Sequence, residues 1–382
     1  MGLFGSSPCA VVCWPGLTPF RRRETALGRR VMLALRADLN PESPSPRNPA
    51  MTSAPPVADP TAWLHDLATV RGRLEQTIAT RVIGQERTID ALLTAIFARG
   101  HALLIGPPGV AKTLLVRTLA EALGWSFKRI QFTPDLMPSD ITGTEILRED
   151  KATGTRSFAF VPGPVFANLV LADEINRTTP KTQAALLEAM QEGLVTAGGI
   201  THVLPKPFFV LATQNPIEQE GTYRLPEAQL DRFLVAIQVG YPDQAEERAI
   251  ALLDTSERAS ITPVLAIEQF TAIARGIGTL PVPPVVVDYA VRLVRATRPE
   301  GDAAEWVRAN IAWGCGPRAT QHLIAAARAH AALAGRAAVG CDDLAGVAPW
   351  VLAHRLVPTF QALGKGTTPA ALVATLLKQV TP

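Results

Sequence analysis

A glycine-rich loop between two regular segments constrains the fold more than any other feature of this sequence. Residues 101–105, HALLI, form a short apolar run typical of a buried strand. Residues 112–123, KTLLVRTLAEAL, have the spacing of a helix that Gly124 ends. The loop GPPGVA, 106–111, joins the two segments. A strand, a glycine-rich turn and a helix in this order are the context of a phosphate-binding loop.

The loop nearly matches the pattern G-x-x-x-x-G-K-[ST], but Ala111 stands where the second glycine is expected. In such a loop, backbone N–H groups and the helix N-terminus bind phosphates, Lys112 supplies a positive charge, and the Thr113 hydroxyl binds Mg²⁺. We expect Ala111 to take helical backbone angles, so that the missing glycine leaves the phosphate site intact. The predicted nucleotide contacts of the loop are Gly106, Pro107, Pro108, Gly109, Val110, Ala111, Lys112 and Thr113. The alternative, a glycine turn before an ordinary helix, is disfavoured by the Lys-Thr pair.

Two adjacent acids follow a second apolar run, in NLVLADEINR, residues 168–177. An aspartate at the end of such a strand can hold Mg²⁺, which makes Asp173 and Thr113 the predicted metal ligands. Glu174 can accept a proton from the water that attacks a γ-phosphate. Two acids after a strand are often only the start of a solvated loop. Because they follow a phosphate loop here, we favour a catalytic site.

Strands and helices alternate through the first two-thirds of the chain. WSFKRIQF, FFVLAT and FLVAIQV read as further strands, and residues 179–193 read as a helix with Thr179 at its N-cap and Gly193 past its end. Strands separated by helices imply a parallel α/β sheet. After Pro242 only helical patterns follow. We therefore predict an α/β domain over 61–242 and a helical domain over 243–382.

Residues 1–60 differ in composition from the rest of the chain, with an arginine run followed by a stretch rich in proline and serine. Such a segment cannot bury enough apolar surface to fold alone. We interpret it as a disordered extension or as a misassigned start, the true start being Met32 or Met51. A targeting segment is the alternative, although its apolar stretch is short and no clean cleavage site follows.

Charge and composition exclude several classes of function. Residues 1–50 hold seven arginines and three acids, whereas the whole chain has a net charge of +3, so the remainder is near −1. This near-neutral charge disfavours nucleic-acid binding by residues 51–382. No stretch approaches eighteen consecutive apolar residues, so we predict no membrane span. Cys9 and Cys13 could form a ligand pair, but no second pair follows at finger spacing, and reduced thiols in a cytoplasmic protein are the preferred interpretation.

The motifs together resemble the MoxR family of AAA+ ATPases. The resemblance is carried by GPPGVAKT, LADEINRTTPKTQAALLEAMQEG, ATQNP and EGTYRLPEAQLDRF, and it runs from about Trp63 to the C-terminus. Members commonly carry alanine at the position of Ala111. The family resemblance implies a P-loop NTPase fold, with a five-stranded parallel sheet, helices on both faces and a C-terminal all-helical lid.

The resemblance also implies roles for residues outside the phosphate loop. Asn215 would be sensor 1, orienting the lytic water or touching the γ-phosphate. Arg232 would be an arginine finger that reaches into a neighbouring subunit's site. Arg318 would be sensor 2, which reports nucleotide to the lid. Residues 81–85, RVIGQ, would line the adenine pocket, with Val82 and Ile83 as the predicted cofactor-binding residues.

Two insertions, two departures and one further arginine complete the comparison with the family. A helix-2 insert would lie between Gly143 and Pro164, and residues 194–205 would form a pre-sensor hairpin. Arg224 replaces a proline usual in relatives, and GCGPRA stands where SPRA is often found. Arg177 could be a second interface arginine or the partner of Glu174 or another neighbour in a salt bridge.

The resemblance implies an ATPase with ATP and Mg²⁺ as cofactors, acting as a homo-oligomeric, hexameric ring that remodels protein clients. Those clients would be proteins with a von Willebrand factor A domain, or enzymes whose assembly or metal or cofactor loading the ring assists. We expect the protein in the cytoplasm. Two alternatives stay open at this point: an ATP-gated binding scaffold with incidental turnover, and a nucleic-acid motor, which the near-neutral body disfavours.

Overall fold

A computed structural model describes residues 62–149, 156–216, 222–253 and 260–382 of the chain. These residues belong to one compact unit, Ala58–Pro382. The predicted extension over 1–60, with Cys9 and Cys13, lies outside the described residues, as do Glu220 and Gly221. The placement of a domain boundary at 242 stays a prediction.

The described residues form eleven short strands of two to seven residues each. In chain order they are β1 Ala102–Ile105, β2 Phe127–Gln131, β3 Gly143–Glu149, β4 Arg156–Pro162, β5 Leu169–Asp173, β6 Leu194–Ala197, β7 Ile200–Val203, β8 Phe209–Gln214, β9 Val235–Gln238, β10 Ile311–Trp313 and β11 Val357–Pro358.

Helices cover most of the remaining described chain. They are α1 Ala62–Ala79, α2 Glu86–Phe97, α3 Lys112–Leu123, α4 Pro138–Thr142, α5 Pro180–Glu192, α6 Glu227–Leu230, α7 Gln244–Ala251, α8 Ile267–Thr279, α9 Pro284–Arg295, α10 Glu305–Asn310, α11 Pro317–Leu333, α12 Cys341–Leu352, α13 Phe360–Gly364 and α14 Pro369–Gln379, with 3-10 turns at Ile175–Arg177 and Ala353–Arg355.

The central sheet has five parallel strands in the order β2-β5-β8-β1-β9. The predicted five-stranded parallel α/β fold is therefore confirmed. Alternate side chains of each strand point to opposite faces. In β1, for example, Ala102 and Leu104 join one apolar cluster and Leu103 joins the other. Because both faces are covered, the strands read as continuous apolar runs rather than as alternating ones.

The helix ends predicted around the sheet occur where the sequence placed them. Helix α3 begins at Lys112 and ends before Gly124, which has φ 65°. Helix α5 has Thr179 at its N-cap and Gly193, also at φ 65°, at its C-cap. Glycine adopts this left-handed conformation without the steric cost that a Cβ brings. These helices fix the loops at the carboxyl ends of β1 and β5.

Two antiparallel hairpins interrupt the α/β alternation at the expected insert positions. Strands β3 and β4 form the first, and β6 and β7 form the second around the turn Gly198-Gly199, where both residues have positive φ. The hairpins contact each other through Phe160 and His202, whose rings stack with centroids 3.9 Å apart. The two insertions therefore pack against each other.

The C-terminal region is helical, with one addition. Helix α11 packs against α12, α9, α1 and α2, and its buried alanines allow this close approach. Strands β10 and β11 pair in a small antiparallel sheet. The expectation of helices alone missed this pair, because strands of two and three residues leave no readable period. Within the described ranges no single helix combines the length and apolar character of a membrane span; only α8 and α9 reach them jointly, across a bend of 88°.

Candidate active site

The phosphate loop lies between β1 and α3, at the carboxyl end of the sheet, where open α/β sheets bind ligands. Gly106 donates a hydrogen bond from its N–H to the Gln214 carbonyl at 3.2 Å. A Cβ on Gly106 would lie 2.4 Å from the Val239 carbonyl oxygen, so only glycine fits. Gly109 has φ 85°, which also favours glycine.

The expectation that Ala111 takes helical backbone angles is wrong. Ala111 is the N-cap of α3 and lies in the left-handed region, at φ 56° and ψ 22°. A residue with a Cβ costs about 1–2 kcal/mol in this conformation relative to the right-handed one. The loop therefore needs the left-handed turn itself and keeps it with alanine, at a cost in stability.

Left-handed residues other than glycine cluster around this loop. The described residues contain four of them, and three surround the site: Gln85, Ala111 and Glu174. Such conformations persist where the surrounding structure imposes them and are concentrated at functional sites. Gln85 donates from Nε2 to the Val110 carbonyl at 2.9 Å, which ties its segment to the phosphate loop.

Gln85 ends the segment that the sequence assigns to the adenine pocket. Val82 is buried and Ile83 is half-buried, and both precede α2. Arg81 forms a salt bridge with Glu121 of α3 at 2.6 Å. The apolar pair is thereby held beside the phosphate loop and α3, where a base attached to loop-bound phosphates could lie.

Lys112 turns back over its own loop. Its Nζ donates to the carbonyls of Gly106 at 2.6 Å and Pro107 at 3.1 Å. Burial lowers the pKa of the Lys112 ammonium, and the negative charges of Asp173 and Glu174 oppose that shift. The lysine therefore lies within electrostatic reach of both acids, as the predicted site requires.

Asp173 ends β5 and is 8% exposed. Its Oδ2 accepts from Arg129, at 2.9 Å from Nε and 2.7 Å from Nη2. Its Oδ1 accepts from the Thr213 hydroxyl at 2.6 Å. Arg129 extends from the neighbouring strand β2 and is 48% exposed, so this partner can be exchanged, whereas Thr213 is buried.

Glu174 follows in the left-handed conformation, at φ 57°. Its N–H donates to the same Thr213 hydroxyl at 2.8 Å. Its Oε2 accepts from Gln131 at 2.9 Å and from Arg177 at 2.8 Å. Of the two interpretations of Arg177, the salt bridge with Glu174 is present in this structure.

Asn215 directly follows β8 and is 5% exposed. Because β8 pairs with β1 on one side and β5 on the other, Asn215 lies between the phosphate loop and the two acids. This position at the strand end is the one that its predicted role as sensor 1 requires.

Arg232 and Arg318 belong to a second cluster, beside the first residues of β9. Nη1 of Arg318, on the first turn of α11, lies 3.5 Å from Oδ2 of Asp231. The Arg232 side chain is half-buried and forms no hydrogen bond or salt bridge among the residues that the structure describes. Arg318, the predicted sensor 2, thus lies against Asp231, the residue directly before the predicted finger.

The loop before this cluster carries Arg224, which is exposed. Its neighbour Tyr223 donates to the Asn176 carbonyl at 2.7 Å and accepts from Gln183 at 3.3 Å. Leu225 on the other side is buried. The chain is therefore anchored on both sides of Arg224.

The donors proposed for Mg²⁺ fit that ion. The Thr113 hydroxyl and the Asp173 carboxylate are hard oxygen ligands of the kind Mg²⁺ prefers, next to a loop that binds phosphates. Asp173 would exchange the exposed Arg129 for the ion. Among the described residues no cluster of three or more His, Cys, Asp and Glu forms a separate metal site.

The motifs did not indicate four residues that the structure places at these sites: Arg129, Gln131, Thr213 and the lid residue Arg355, whose Nε donates to Oδ1 of Asp231 at 2.8 Å. Thr213 stands two residues before Asn215 and contacts both acids. Arg129 and Gln131 alternate along β2, which lies beside β5 in the sheet. This alternation could have indicated that both side chains share one face of β2, but it points to Asp173 and Glu174 only once the pairing of β2 with β5 is known. Arg355 had no such signal, because its role depends on burial.

Comparison with known proteins gives a consistent result. The family model described as "ATPase family associated with various cellular activities (AAA)" matches residues 101–235. A second family model, described as "AAA lid domain", matches residues 303–376. The chain is 46% identical over 305 residues to the Chaperone MoxR1 of Mycobacterium tuberculosis, covering 78% of each protein. It is 34% identical over 313 residues to the Protein MoxR of Methylorubrum extorquens, covering 77% of this chain and 90% of that one.

A solved structure agrees with these sequence relationships. The crystal structure of a candidate ATPase from Cytophaga hutchinsonii matches with a TM-score of 0.76 at 38% identity, covering 84% of this chain and 96% of that chain. The strand order, the phosphate loop and the acids beside it define an AAA+ type P-loop NTPase fold. Within that class, the chain belongs to the MoxR family.

Proposed function

We propose that the protein is a Mg²⁺-dependent ATPase that works as a ring-forming remodeller of protein clients. The observation that carries the proposal is the convergence of Lys112, Asp173 and Glu174 at the carboxyl ends of neighbouring strands. A triphosphate needs backbone amides, a cation and an acid at one place, and this end of the sheet offers all three.

Each residue of the site has one task in the proposed reaction. Lys112 exchanges its two carbonyl partners for phosphate oxygens, while the loop amides and the start of α3 bind the other oxygens. Thr113 and Asp173 hold Mg²⁺, which neutralises charge on the phosphates when it is bound. Glu174 accepts a proton from the attacking water, and Asn215 orients that water. Gln131 and Arg177, which now donate to the Glu174 carboxylate, must then release it.

The proposed ring follows from the finger assignment. Arg232 is half-buried, and its side chain forms no polar contact among the described residues of its own chain. An arginine stabilises charge that develops on a transferred phosphoryl group, and one from a neighbouring subunit makes hydrolysis depend on assembly. We propose a hexamer, with Arg318 coupling bound nucleotide to the lid.

The proposed clients are proteins with a von Willebrand factor A domain, or enzymes that receive a metal or cofactor, in the cytoplasm. The family membership supports a protein client, since one relative is named a chaperone. Client proteins that raise the turnover of ATP would favour remodelling over an ATP-gated scaffold. Strong, salt-sensitive DNA binding with a stimulated ATPase rate would instead favour a nucleic-acid motor.

Phosphate release from ATP by the purified full chain tests the proposal. We expect the wild type to hydrolyse ATP in the presence of Mg²⁺ and Glu174→Gln to lower this rate by roughly 100-fold or more. The variant should bind a fluorescent ATP analogue with the same affinity as the wild type. Glu192→Gln, which changes an exposed acid at the end of α5, should keep the wild-type rate. An unchanged rate in Glu174→Gln would remove the base assignment, and absence of turnover in the wild type would remove the activity.

A further inference from the structure

A buried arginine of the lid binds the segment that carries the proposed finger. Arg355 follows α12 in the 3-10 turn Ala353–Arg355, and its side chain is 3% exposed. Its Nε donates to Oδ1 of Asp231 at 2.8 Å. Its Nη2 donates to the carbonyls of Asp231 at 3.2 Å and Phe233 at 2.6 Å, and its Nη1 to that of Leu234 at 3.4 Å. One side chain therefore spans four consecutive residues of the core.

These contacts fix the backbone on both sides of Arg232. The carbonyls before and after it, of Asp231 and Phe233, accept from the same guanidinium. A planar guanidinium presents its donors in a fixed geometry, so these carbonyls must keep their relative positions. The Arg232 side chain has no polar partner among the described residues. Its backbone is thus fixed while its side chain is left available.

Neighbouring lid residues strengthen the same attachment. His354 Nε2 lies 3.2 Å from the Phe233 carbonyl, which can only accept, so the ring donates. Arg318, the proposed sensor 2, approaches the second carboxylate oxygen of Asp231. Arg318 and Arg355, both in the lid, therefore share the carboxylate of Asp231. Arg318 is the one proposed to respond to nucleotide, and Arg355 is the buried one.

We infer that Arg355 is a positioning residue that couples the lid of one subunit to the finger serving the next subunit's site. When nucleotide draws Arg318 and the lid to a new position, the segment held by Arg355 must move with them. The inference rests on the proposed function, because it requires Arg232 to act in a neighbouring site. It explains how movement of the lid in one subunit reaches the ATP-hydrolysing site of the next subunit.

Steady-state kinetics give the first test. We expect Arg355→Met to lower kcat by about 100-fold, since a misplaced catalytic group about 1 Å away has an effect of that size. The KM for ATP should change by less than about threefold, because Arg355 makes none of its contacts with the phosphate loop. Equal losses in nucleotide affinity and kcat would contradict a positioning role.

Mixed assemblies separate action on the neighbour from action within one subunit. Glu174→Gln subunits have an inactive site and an intact finger, so they should restore turnover when mixed with Arg355→Met subunits. Arg232→Ala mixed with Glu174→Gln is the reference. Recovery in both mixtures supports the inference. Recovery in the reference alone overturns it, and recovery in neither removes the finger assignment together with the inference.

Two further variants guard against a simple folding defect. Arg355→Lys keeps the charge but cannot span the three carbonyls, and it is tested in the same mixtures if Arg355→Met does not fold. Arg336→Met is the matched control, because Arg336 is a lid arginine that binds Asp343 rather than the finger segment. We expect wild-type kcat for this control. A loss as large as that of Arg355→Met would show that any damaged lid gives the effect, and would overturn the inference.

Discussion

The phosphate-loop cluster and the lid cluster hold their acids in opposite ways. At the phosphate loop, Asp173 and Glu174 bind arginines that are 48% and 45% exposed. At the lid, Asp231 binds Arg355, which is 3% exposed. An exposed arginine exchanges its partner readily and at little cost, whereas a buried arginine that loses its partners becomes an uncompensated buried charge.

This difference separates the tasks of the two regions. The first cluster can release its arginines when phosphates and a cation arrive, because water already solvates those arginines. We expect the second cluster to keep its contacts through such a change, since its arginine is buried, and thereby to transmit movement. Both clusters are built from arginines and acidic residues, and the burial of the arginine distinguishes them.

The largest expected effect is on stability. Arg355→Met removes the donor of the Asp231 carboxylate and of the carbonyls of Asp231, Phe233 and Leu234, and should lower the free energy of unfolding by about 3–5 kcal/mol. Arg129→Met removes an exposed arginine, and Asp173 keeps its hydrogen bond from Thr213, so the loss should be about 1 kcal/mol or less. Denaturant titration of both variants measures the difference. Equal losses would mean that burial does not distinguish the two clusters.

The next effect is on nucleotide binding. Lys112→Met removes charged hydrogen bonds to phosphate worth about 1.5–3 kcal/mol, so ATP should bind roughly 10- to 100-fold more weakly. Lys128→Met, at an exposed position on β2, is the control. Titration with a fluorescent ATP analogue reports both constants. An affinity unchanged in Lys112→Met would place the phosphates elsewhere.

A smaller effect should appear in the pH dependence of stability. Burial and the charges of Arg355 and Arg318 lower the pKa of His322 to about 3. Since the unfolded chain binds this proton below about pH 6.5, stability should fall as pH decreases from there towards 3, by about 1.4 kcal/mol per unit from this group. His322→Asn should remove that part of the slope, measured by denaturant titration at several pH values.

The control for this prediction is His65→Asn, which changes an exposed histidine on α1. We expect the wild-type slope from it. A slope that His322→Asn leaves intact would mean that His322 is protonated in the folded lid cluster, which its contact with Arg355 disfavours.

The smallest effect concerns the loop alanine. Ala111→Gly relieves the left-handed strain but adds freedom to the unfolded chain, so the net gain should be about 1 kcal/mol at most. Ala374→Gly, at an exposed position inside α14, should instead lose about 1 kcal/mol. Thermal unfolding of the two variants compares the signs. A destabilised Ala111→Gly would show that the alanine methyl group has favourable contacts.

The sequence predicted the phosphate-loop cluster better than the lid cluster, for a physical reason. Lys112 and Asp173 stand next to strands whose apolar runs are readable, and parallel strands bring their ends together. Arg355 is one arginine in a helical region, and its contacts depend on how two distant segments pack. The backbone of Ala111 was mispredicted because a loop's conformation is imposed by its surroundings, which residue type alone does not reveal.

A structure of Glu174→Gln with ATP and Mg²⁺ tests the central claim most directly, because the variant should bind the nucleotide without consuming it. We predict the phosphates at the amides around Gly109, Lys112 turned from its carbonyls to the phosphates, Mg²⁺ between Thr113 and Asp173, and Arg129 released from Asp173. Nucleotide bound elsewhere, or bound while Arg129 and Lys112 keep their present partners, would contradict the account.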